Sequence, residues 1–255
     1  MGKSVLFLGY DRSQTKLISC LEDYGCDVDH TQSVLGDPVA YGVYDLIVSF
    51  GYRHIIKKDF INNYDGDIVN LHISYLPWNR GAHPNFWAYF DNTPHGITIH
   101  LIDEGVDTGP ILYQRYVNFD GESTFSESYK RLIDEIEDLF VDNIGEIISS
   151  AYVPKPQRGE GSYHSRSELP DIPGGWEANV FEVLGVLDRY KEDFVLNRNR
   201  LIDQIEDAPS TGAIFRDLLK LAFKYSPREA SEIVSRMECG DSKAYRILKN
   251  LTKHI

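Results

Sequence analysis

The sequence predicts an α/β fold built on a mostly parallel sheet with helices on both faces. Two patterns lead to this prediction. Short apolar segments alternate with helical segments over the first half of the chain, which is typical of parallel sheets whose strands are joined by helices. The segment 44–50, YDLIVSF, is apolar on both sides, as expected for a central strand that is covered from both faces.

Local patterns predict the individual strands and helices. Residues 5–10 form an apolar run that ends in a glycine turn, and Ser13 is a suitable N-cap for a helix over 13–24. Apolar residues recur at helical spacing over 124–149, which predicts one long amphipathic helix. Further strands are predicted at 26–30, 44–50, 67–74, 96–102 and 111–117.

The chain is predicted to divide into a catalytic domain, residues 1–178, and a helical C-terminal extension, residues 179–255. Pro, Gly, Ser and Arg are frequent over 153–176, which predicts a surface loop. Short helices are predicted at 180–190, 201–205, 213–225, 227–238 and 242–253. Their apolar residues need burial, so we expect the extension to pack on the catalytic domain or to form a homodimer contact.

Composition limits the classes of function. The 255 residues are 42% hydrophobic, which is enough for a sizeable core. Residues 1–179 carry 13 basic and 27 acidic side chains, and this excess disfavours a nucleic-acid partner because such binding neutralises phosphates. The three cysteines lack metal-ligand spacing, and no apolar stretch is long enough to span a membrane. We therefore expect a cytoplasmic protein without a metal site or a membrane segment.

The candidate catalytic residues lie in the second quarter of the chain. Asn70 and His72 are two residues apart on a predicted strand, so their side chains face the same side. A buried polar pair is costly unless it is satisfied, and ligands of open α/β sheets bind at the carboxyl ends of strands. Asp107 follows the next strand in a turn-forming stretch, from which a carboxylate can orient a histidine. Taken alone, the pair fits a satisfied core interaction as well as a catalytic site.

The surrounding motifs favour the catalytic interpretation. They are, in order, Asn70-x-His72, Ser74-x-Leu76-Pro77, Gly96-x-Thr98-x-His100 and Asp107-x-Gly109. This order resembles that of the N10-formyltetrahydrofolate-dependent formyltransferases over about residues 1–150. The resemblance implies a Rossmann-like domain, N10-formyltetrahydrofolate as the formyl donor, and no metal. It also implies that Asn70 donates to the oxyanion, that His72 stabilises charge or moves a proton, and that Asp107 orients His72.

Asn79-Arg80-Gly81 and Pro84-Asn85-x-Trp87 look most like the branch that formylates nucleotide-linked amino sugars of surface polysaccharides, such as the O-antigen of lipopolysaccharide. The resemblance implies folate contacts from Ser49, Gly51, Tyr52, Ile55, Asp103 and Asp107. It implies amino-sugar nucleotide contacts from Tyr10, Arg12, Ser13, Arg80 and Asn85. The residues around Tyr10 open a helix whose amides can receive an anion. For Arg80, binding of substrate phosphates and capping of a helix stay open.

Three alternatives to an amino-sugar N-formyltransferase stay open. A glycinamide ribonucleotide formyltransferase usually ends near the core and lacks the Pro84-Asn85-x-Trp87 form. A methionyl-tRNA formyltransferase is expected to add a larger, basic, β-rich domain, whereas residues 180–255 are close to neutral and predicted helical. A non-catalytic folate or sugar-nucleotide binding module is expected to have lost a member of the catalytic trio Asn70, His72 and Asp107, and all three are present.

Overall fold

A six-stranded sheet organises the first part of the protein. The computed structural model describes residues 2–119 and 124–187, and the chain divides into two units, Met1–Arg166 and Ser167–Ile255. The strands are β1 Ser4–Gly9, β2 Asp27–Thr31, β3 Leu46–Phe50, β4 Asp67–His72, β5 Arg80–Gly81, β6 Gly96–Leu101, β7 Ile111–Tyr116 and β8 Tyr163–His164. The large sheet has the order β2-β1-β3-β4-β6-β7, and β5 pairs with β8 separately.

The first four strands of the large sheet are parallel, as the sequence predicts. β1 lies between β2 and β3, and β3 pairs with β4. β6 then runs antiparallel to β4, and β7 antiparallel to β6. The sheet is therefore mixed, with a parallel body and an antiparallel edge.

Helices cover both faces of this sheet, which confirms the predicted α/β architecture. The helices of the first unit are α1 Leu17–Asp23, α2 Lys58–Asn63, α3 Pro84–Phe90, α4 Phe125–Asp142 and α5 Ile144–Ile148, with a 3-10 turn at Pro38–Tyr41. Alternate residues of β1 divide between the two faces. Val5 and Phe7 belong to an apolar cluster with residues of α1, α4 and α5, and Leu6 and Leu8 pack with Phe60 of α2.

Two predicted helix boundaries are wrong, each because a short polar side chain bonds to its own neighbourhood. Ser13 is not an N-cap: its hydroxyl donates to Asp11 Oδ1 over 2.6 Å, and α1 begins at Leu17. The predicted helix over 124–149 is divided at Asn143, whose amide donates to the Leu139 carbonyl over 2.7 Å. Hydrophobic periodicity continues across the break, so it could not reveal it.

The second unit is described only in part. Residues 175–177 form a 3-10 turn and residues 180–187 are helical. The helices predicted over 201–253 lie outside the described residues, and the division predicted at residue 178 stays a prediction. Over residues 2–119 and 124–187, none of the helices combines the length and the apolar character of a membrane span.

The first turn of α4 is closed by a capping box. The Thr124 hydroxyl accepts from the Glu127 N–H, and the Glu127 carboxylate accepts from the Thr124 N–H. We predict that Thr124→Ala lowers the free energy of unfolding by about 1 kcal/mol, because it leaves the Glu127 N–H without its acceptor. Urea denaturation measures this loss, and Thr124→Ser, which keeps the hydroxyl, should stay close to wild type. Equal losses in both variants would contradict a capping role.

Candidate active site

Asn70, His72 and Asp107 meet on one face of the sheet. Asn70 and His72 project from the same side of β4, while the alternate residues of that strand enter the core. Asp107 reaches them from the loop after β6. Its Oδ1 lies 3.4 Å from Asn70 Nδ2, and its Oδ2 lies 3.6 Å from His72 Nδ1. The structure thus brings together the three residues that the sequence singles out as catalytic.

The loop after β6 folds back on the sheet to deliver Asp107. Because β6 is antiparallel to β4, it ends with Leu101 beside Val69, below the catalytic residues of β4. The Leu101 N–H then donates to the Pro110 carbonyl over 2.9 Å, which closes the loop. Gly109 allows this closure, since a Cβ there would lie 1.8 Å from the Leu101 oxygen. Asp107 itself has a φ of 52°, a left-handed conformation that aspartate tolerates better than most residues.

A backbone carbonyl fixes the ring of His72. Nε2 lies 3.0 Å from the Asn79 carbonyl oxygen, which can only accept, so Nε2 carries a hydrogen. In the neutral ring Nδ1 is therefore the unprotonated nitrogen, and it faces Asp107. A proton gained at Nδ1 forms an imidazolium directly beside the carboxylate.

His100 holds the amide of Asn70. His100 Nδ1 lies 2.7 Å from the Leu101 carbonyl oxygen and donates to it, so Nε2 is the acceptor of the neutral ring. Nε2 lies 3.1 Å from Asn70 Nδ2, which donates one N–H to it. The second N–H of Asn70 faces the longer contact to Asp107. His100, which the motifs include without a catalytic role, thus sets the orientation of a candidate catalytic side chain.

Asp107 is ionised in this environment. Burial acts to raise the pKa of Asp107, but the positive charge that His72 carries when its ring is protonated opposes it. A protonated His100 ring would act in the same direction, and the Gly81 N–H that donates to Oδ2 over 2.8 Å also stabilises the carboxylate. Together they hold the pKa of Asp107 far below its ordinary value.

Two residues that the sequence does not indicate also contact the trio's supports. Gln157 Nε2 donates to the carbonyls of Asp107 and Gly109, both over 2.8 Å. The Ser162 hydroxyl donates to Asn79 Oδ1 over 3.1 Å and accepts from the Asn79 N–H over 2.8 Å. Both lie in the predicted surface loop, far along the chain from Asp107, and their partners are mainly backbone atoms that leave no pattern in the sequence.

The predicted substrate contacts have protein partners. Arg80 donates to Gln157 Oε1, over 3.1 Å from Nε and 2.6 Å from Nη2, and caps none of the helices in the described part of the chain. Arg12 forms a two-point ion pair with Glu22 on the surface. The other three predicted residues also bond within the protein. The Tyr10 hydroxyl bonds to the Tyr129 hydroxyl, Ser13 donates to Asp11, and the buried Asn85 amide donates to the Phe125 carbonyl and to Ser128. Their roles toward substrate stay predictions.

The predicted folate contacts are spread over β3, the residues that follow it, and the Asp107 loop. Ser49 is buried and pairs in register with Asn70, and Gly51 has a φ of 68°. Tyr52 donates from its hydroxyl to the Ser33 carbonyl over 2.7 Å, while Ile55 is 79% exposed. Asp103 accepts from the Thr108 hydroxyl over 2.6 Å and the Gly105 N–H over 3.1 Å, inside the loop. Contact of these residues with folate stays a prediction.

Within the described ranges, no group of three or more His, Cys, Asp or Glu side chains is arranged to hold a metal ion.

The chain is similar to several known formyltransferases. The family model described as formyl transferase matches residues 24–144. The solved formyltransferase PseJ of Anoxybacillus kamchatkensis, in complex with UDP-4,6-dideoxy-4-formamido-L-AltNAc and tetrahydrofolate, is 37% identical, with a TM-score of 0.65. This similarity covers 71% of the present chain and 98% of PseJ.

Two curated relatives match over shorter ranges. A methionyl-tRNA formyltransferase of Thermodesulfovibrio yellowstonii is 29% identical over 144 residues, 56% of this chain and 47% of the relative. A dTDP-4-amino-4,6-dideoxyglucose formyltransferase of Mycobacterium bovis is 29% identical over 129 residues, 51% of this chain and 54% of the relative. The chain thus spans about half the length of the curated relatives it matches.

The low pKa of Asp107 predicts how its contribution to stability changes with pH. In the unfolded chain the carboxyl has a pKa of about 3.9, so the folded-state preference for the carboxylate stabilises the protein above that pH. The contribution is lost as pH falls toward the lower folded-state pKa. We therefore predict that the free-energy difference between wild type and Asp107→Asn shrinks between about pH 5 and pH 2. Urea unfolding across this range measures it, and a difference that stays constant would indicate an ordinary pKa.

Proposed function

Because the chain belongs to the formyl transferase family, we propose that it transfers the formyl group of N10-formyltetrahydrofolate to the amino group of a nucleotide-linked amino sugar. The convergence of Asn70, His72 and the ionised Asp107 is the observation that carries this proposal. PseJ was crystallised with a UDP-linked 4-formamido sugar, so a UDP-linked 4-amino-4,6-dideoxy sugar is the first acceptor to test. The product would serve the synthesis of a surface polysaccharide.

In the proposed reaction, Asn70 stabilises the charge that forms when the amine attacks the formyl carbon. The attack makes a tetrahedral centre and puts negative charge on the former carbonyl oxygen. One N–H of the Asn70 amide donates to His100. The second makes a longer contact, with the amide nitrogen 3.4 Å from Asp107 Oδ1. This N–H is the donor available to the oxyanion, in an orientation that is set before substrate arrives.

In the proposed reaction, His72 carries the proton from the acceptor amine to the folate donor. The amine loses a proton as its bond to carbon forms, and N10 of the folate gains one as its bond to carbon breaks. Because Nε2 is held by the Asn79 carbonyl, Nδ1 takes the proton from the amine and later gives it to N10 of the folate. Asp107 stabilises the imidazolium in between, since its Oδ2 lies 3.6 Å from Nδ1.

A panel of acceptors tests the proposal and separates it from the alternatives. Purified protein is given N10-formyltetrahydrofolate with UDP- or dTDP-linked 4-amino sugars, glycinamide ribonucleotide or methionyl-tRNA, and tetrahydrofolate release is followed. Release with an amino-sugar nucleotide, and formation of the formamido product by mass spectrometry, supports the proposal. Release only with one of the other two acceptors would replace it. If no acceptor releases tetrahydrofolate, a binding module is favoured.

The homodimer contact through the extension and the cytoplasmic location belong to this proposal as predictions. Size-exclusion chromatography with light scattering tests the dimer directly. A single protomer mass across the working concentration range would contradict it.

We predict that Asn70→Ala, His72→Ala and Asp107→Ala each lower kcat by about 10²- to 10³-fold, because each removes a group that acts on the transition state. Steady-state kinetics at saturating donor measure the loss, and circular dichroism confirms that the variants fold. Asp59→Ala, which removes an exposed carboxylate in the first turn of α2, serves as the matched control and should keep wild-type turnover. Near wild-type turnover in His72→Ala would refute the assignment.

A further inference from the structure

The segment 155–164, which we term the strap, runs beside the catalytic trio and is anchored at both ends. At one end the backbones of Lys155 and Ile111 exchange two hydrogen bonds of 2.8 Å. At the other end β8 pairs with β5, the strand that supplies the Gly81 N–H to Asp107. Two polar side chains of the strap, Gln157 and Ser162, lie between these anchors and contact the residues that hold the trio in place.

Gln157 forms hydrogen bonds with the turn that carries Asp107. Its amide nitrogen donates to the carbonyls on both sides of Thr108, those of Asp107 and Gly109. Its amide oxygen accepts two hydrogen bonds from the Arg80 guanidinium, which has donors only. Arg80 therefore fixes which end of the Gln157 amide faces the turn, and the turn keeps Asp107 in its left-handed conformation.

Ser162 grips the residue that orients His72. Asn79 is fully buried with a φ of 56°, and its carbonyl accepts from His72 Nε2. Its side chain donates to the Thr93 hydroxyl over 2.8 Å, and its N–H and Oδ1 both bond to the Ser162 hydroxyl. The position of the Asn79 carbonyl thus depends on the strap.

We propose that the strap sets the relative position of His72 and Asp107, with Gln157 and Ser162 as positioning residues. Gln157 holds the carboxylate side of the pair and Ser162 holds the imidazole side, so one continuous segment fixes both. Two consequences follow for the reaction assigned under the proposed function, on which the kinetic part of this inference rests. Loss of Gln157 should slow the chemical step without weakening substrate binding. Arg80 should act through Gln157 and not through substrate phosphates.

The kinetic test compares Gln157→Ala with Arg158→Ala, an exposed neighbour on the same strap. We expect Gln157→Ala to lower kcat by about 10- to 100-fold, because small misplacements of reacting groups have effects of this size. KM for the formyl donor and for the amino-sugar nucleotide should stay within about twofold of wild type, while Arg158→Ala changes neither parameter. A raised KM with unchanged kcat would overturn the positioning role.

A double-mutant cycle separates the two roles of Arg80. If Arg80 acts only by orienting Gln157, Arg80→Met lowers kcat in the wild type and has little further effect in the Gln157→Ala background. If Arg80 binds substrate phosphates, the two losses multiply and KM for the sugar nucleotide rises in both backgrounds. The second result would overturn this part of the inference.

A measurement without turnover keeps the test independent of the proposed function. Titration of the Asp107 carboxyl carbon by NMR, in protein labelled at aspartate, reports how closely the histidines approach it. We expect the pKa of Asp107 to rise toward its ordinary value in Gln157→Ala and to stay low in Arg158→Ala, and an unchanged pKa in Gln157→Ala would refute the strap. If the wild-type protein formylates none of the acceptors, the proposed function is overturned. The titration still tests the positioning role of the strap in that case.

Ser162→Ala provides a second variant that removes one hydroxyl and leaves the chain otherwise unchanged. It should lower kcat with unchanged KM values, because the Asn79 carbonyl loses a support. If Gln157→Ala does not fold, Ser162→Ala carries the test on the imidazole side. Wild-type kcat in Ser162→Ala would then overturn the proposal.

Discussion

The structure of the site depends on keeping one buried carboxylate charged. Burial of Asp107 opposes its ionisation, and an uncompensated buried charge is too costly to keep. The compensation comes from separate parts of the chain: from the Asn70 amide on β4, from the Gly81 N–H on β5, and from His72 on β4 and His100 on β6 when their rings are protonated. Each of these elements must hold its position for the charge to persist. The carboxylate therefore links the strands of the sheet to the loops around it.

This constraint explains the glycines near the site. Gly81 brings its N–H to Asp107 with a φ of 89°, and its missing side chain leaves room for the backbone of β8, since a Cβ would lie 2.3 Å from the His164 oxygen. Gly109 permits the loop to fold back on Leu101. A larger residue at either position would move a support of the carboxylate. The Gly in Asp107-x-Gly109 is thus required by the path of the loop.

The sequence predicts the catalytic side chains better than their supports. Asn70 and His72 follow from the two-residue period of a strand, and Asp107 from its place in an ordered set of motifs. Strand polarity does not follow, because an apolar alternation such as that of β6 is the same in either direction, so the backward fold of the Asp107 loop was not predictable. Asn79 and Gln157 act through backbone carbonyls. Such contacts depend on chain path and leave no trace in residue type.

The hydrogen bonds of the two histidines support the proposal that His72, and not His100, carries the proton. Each ring donates to a backbone carbonyl, His72 from Nε2 and His100 from Nδ1, so the nitrogen of each ring that faces Asp107 is the free acceptor. The acceptor nitrogen of His100 already accepts the Asn70 N–H. The acceptor nitrogen of His72 accepts no hydrogen bond from the other two members of the trio and lies 3.6 Å from the Asp107 carboxylate. In the proposed reaction, His72 Nδ1 is therefore the ring nitrogen that is open to a proton. A proton on His100 Nε2 would remove the acceptor of the Asn70 N–H, whose orientation the proposed reaction requires for the oxyanion. The hydrogen bond that orients Asn70 is thus an argument for His72 as the proton carrier of that proposal.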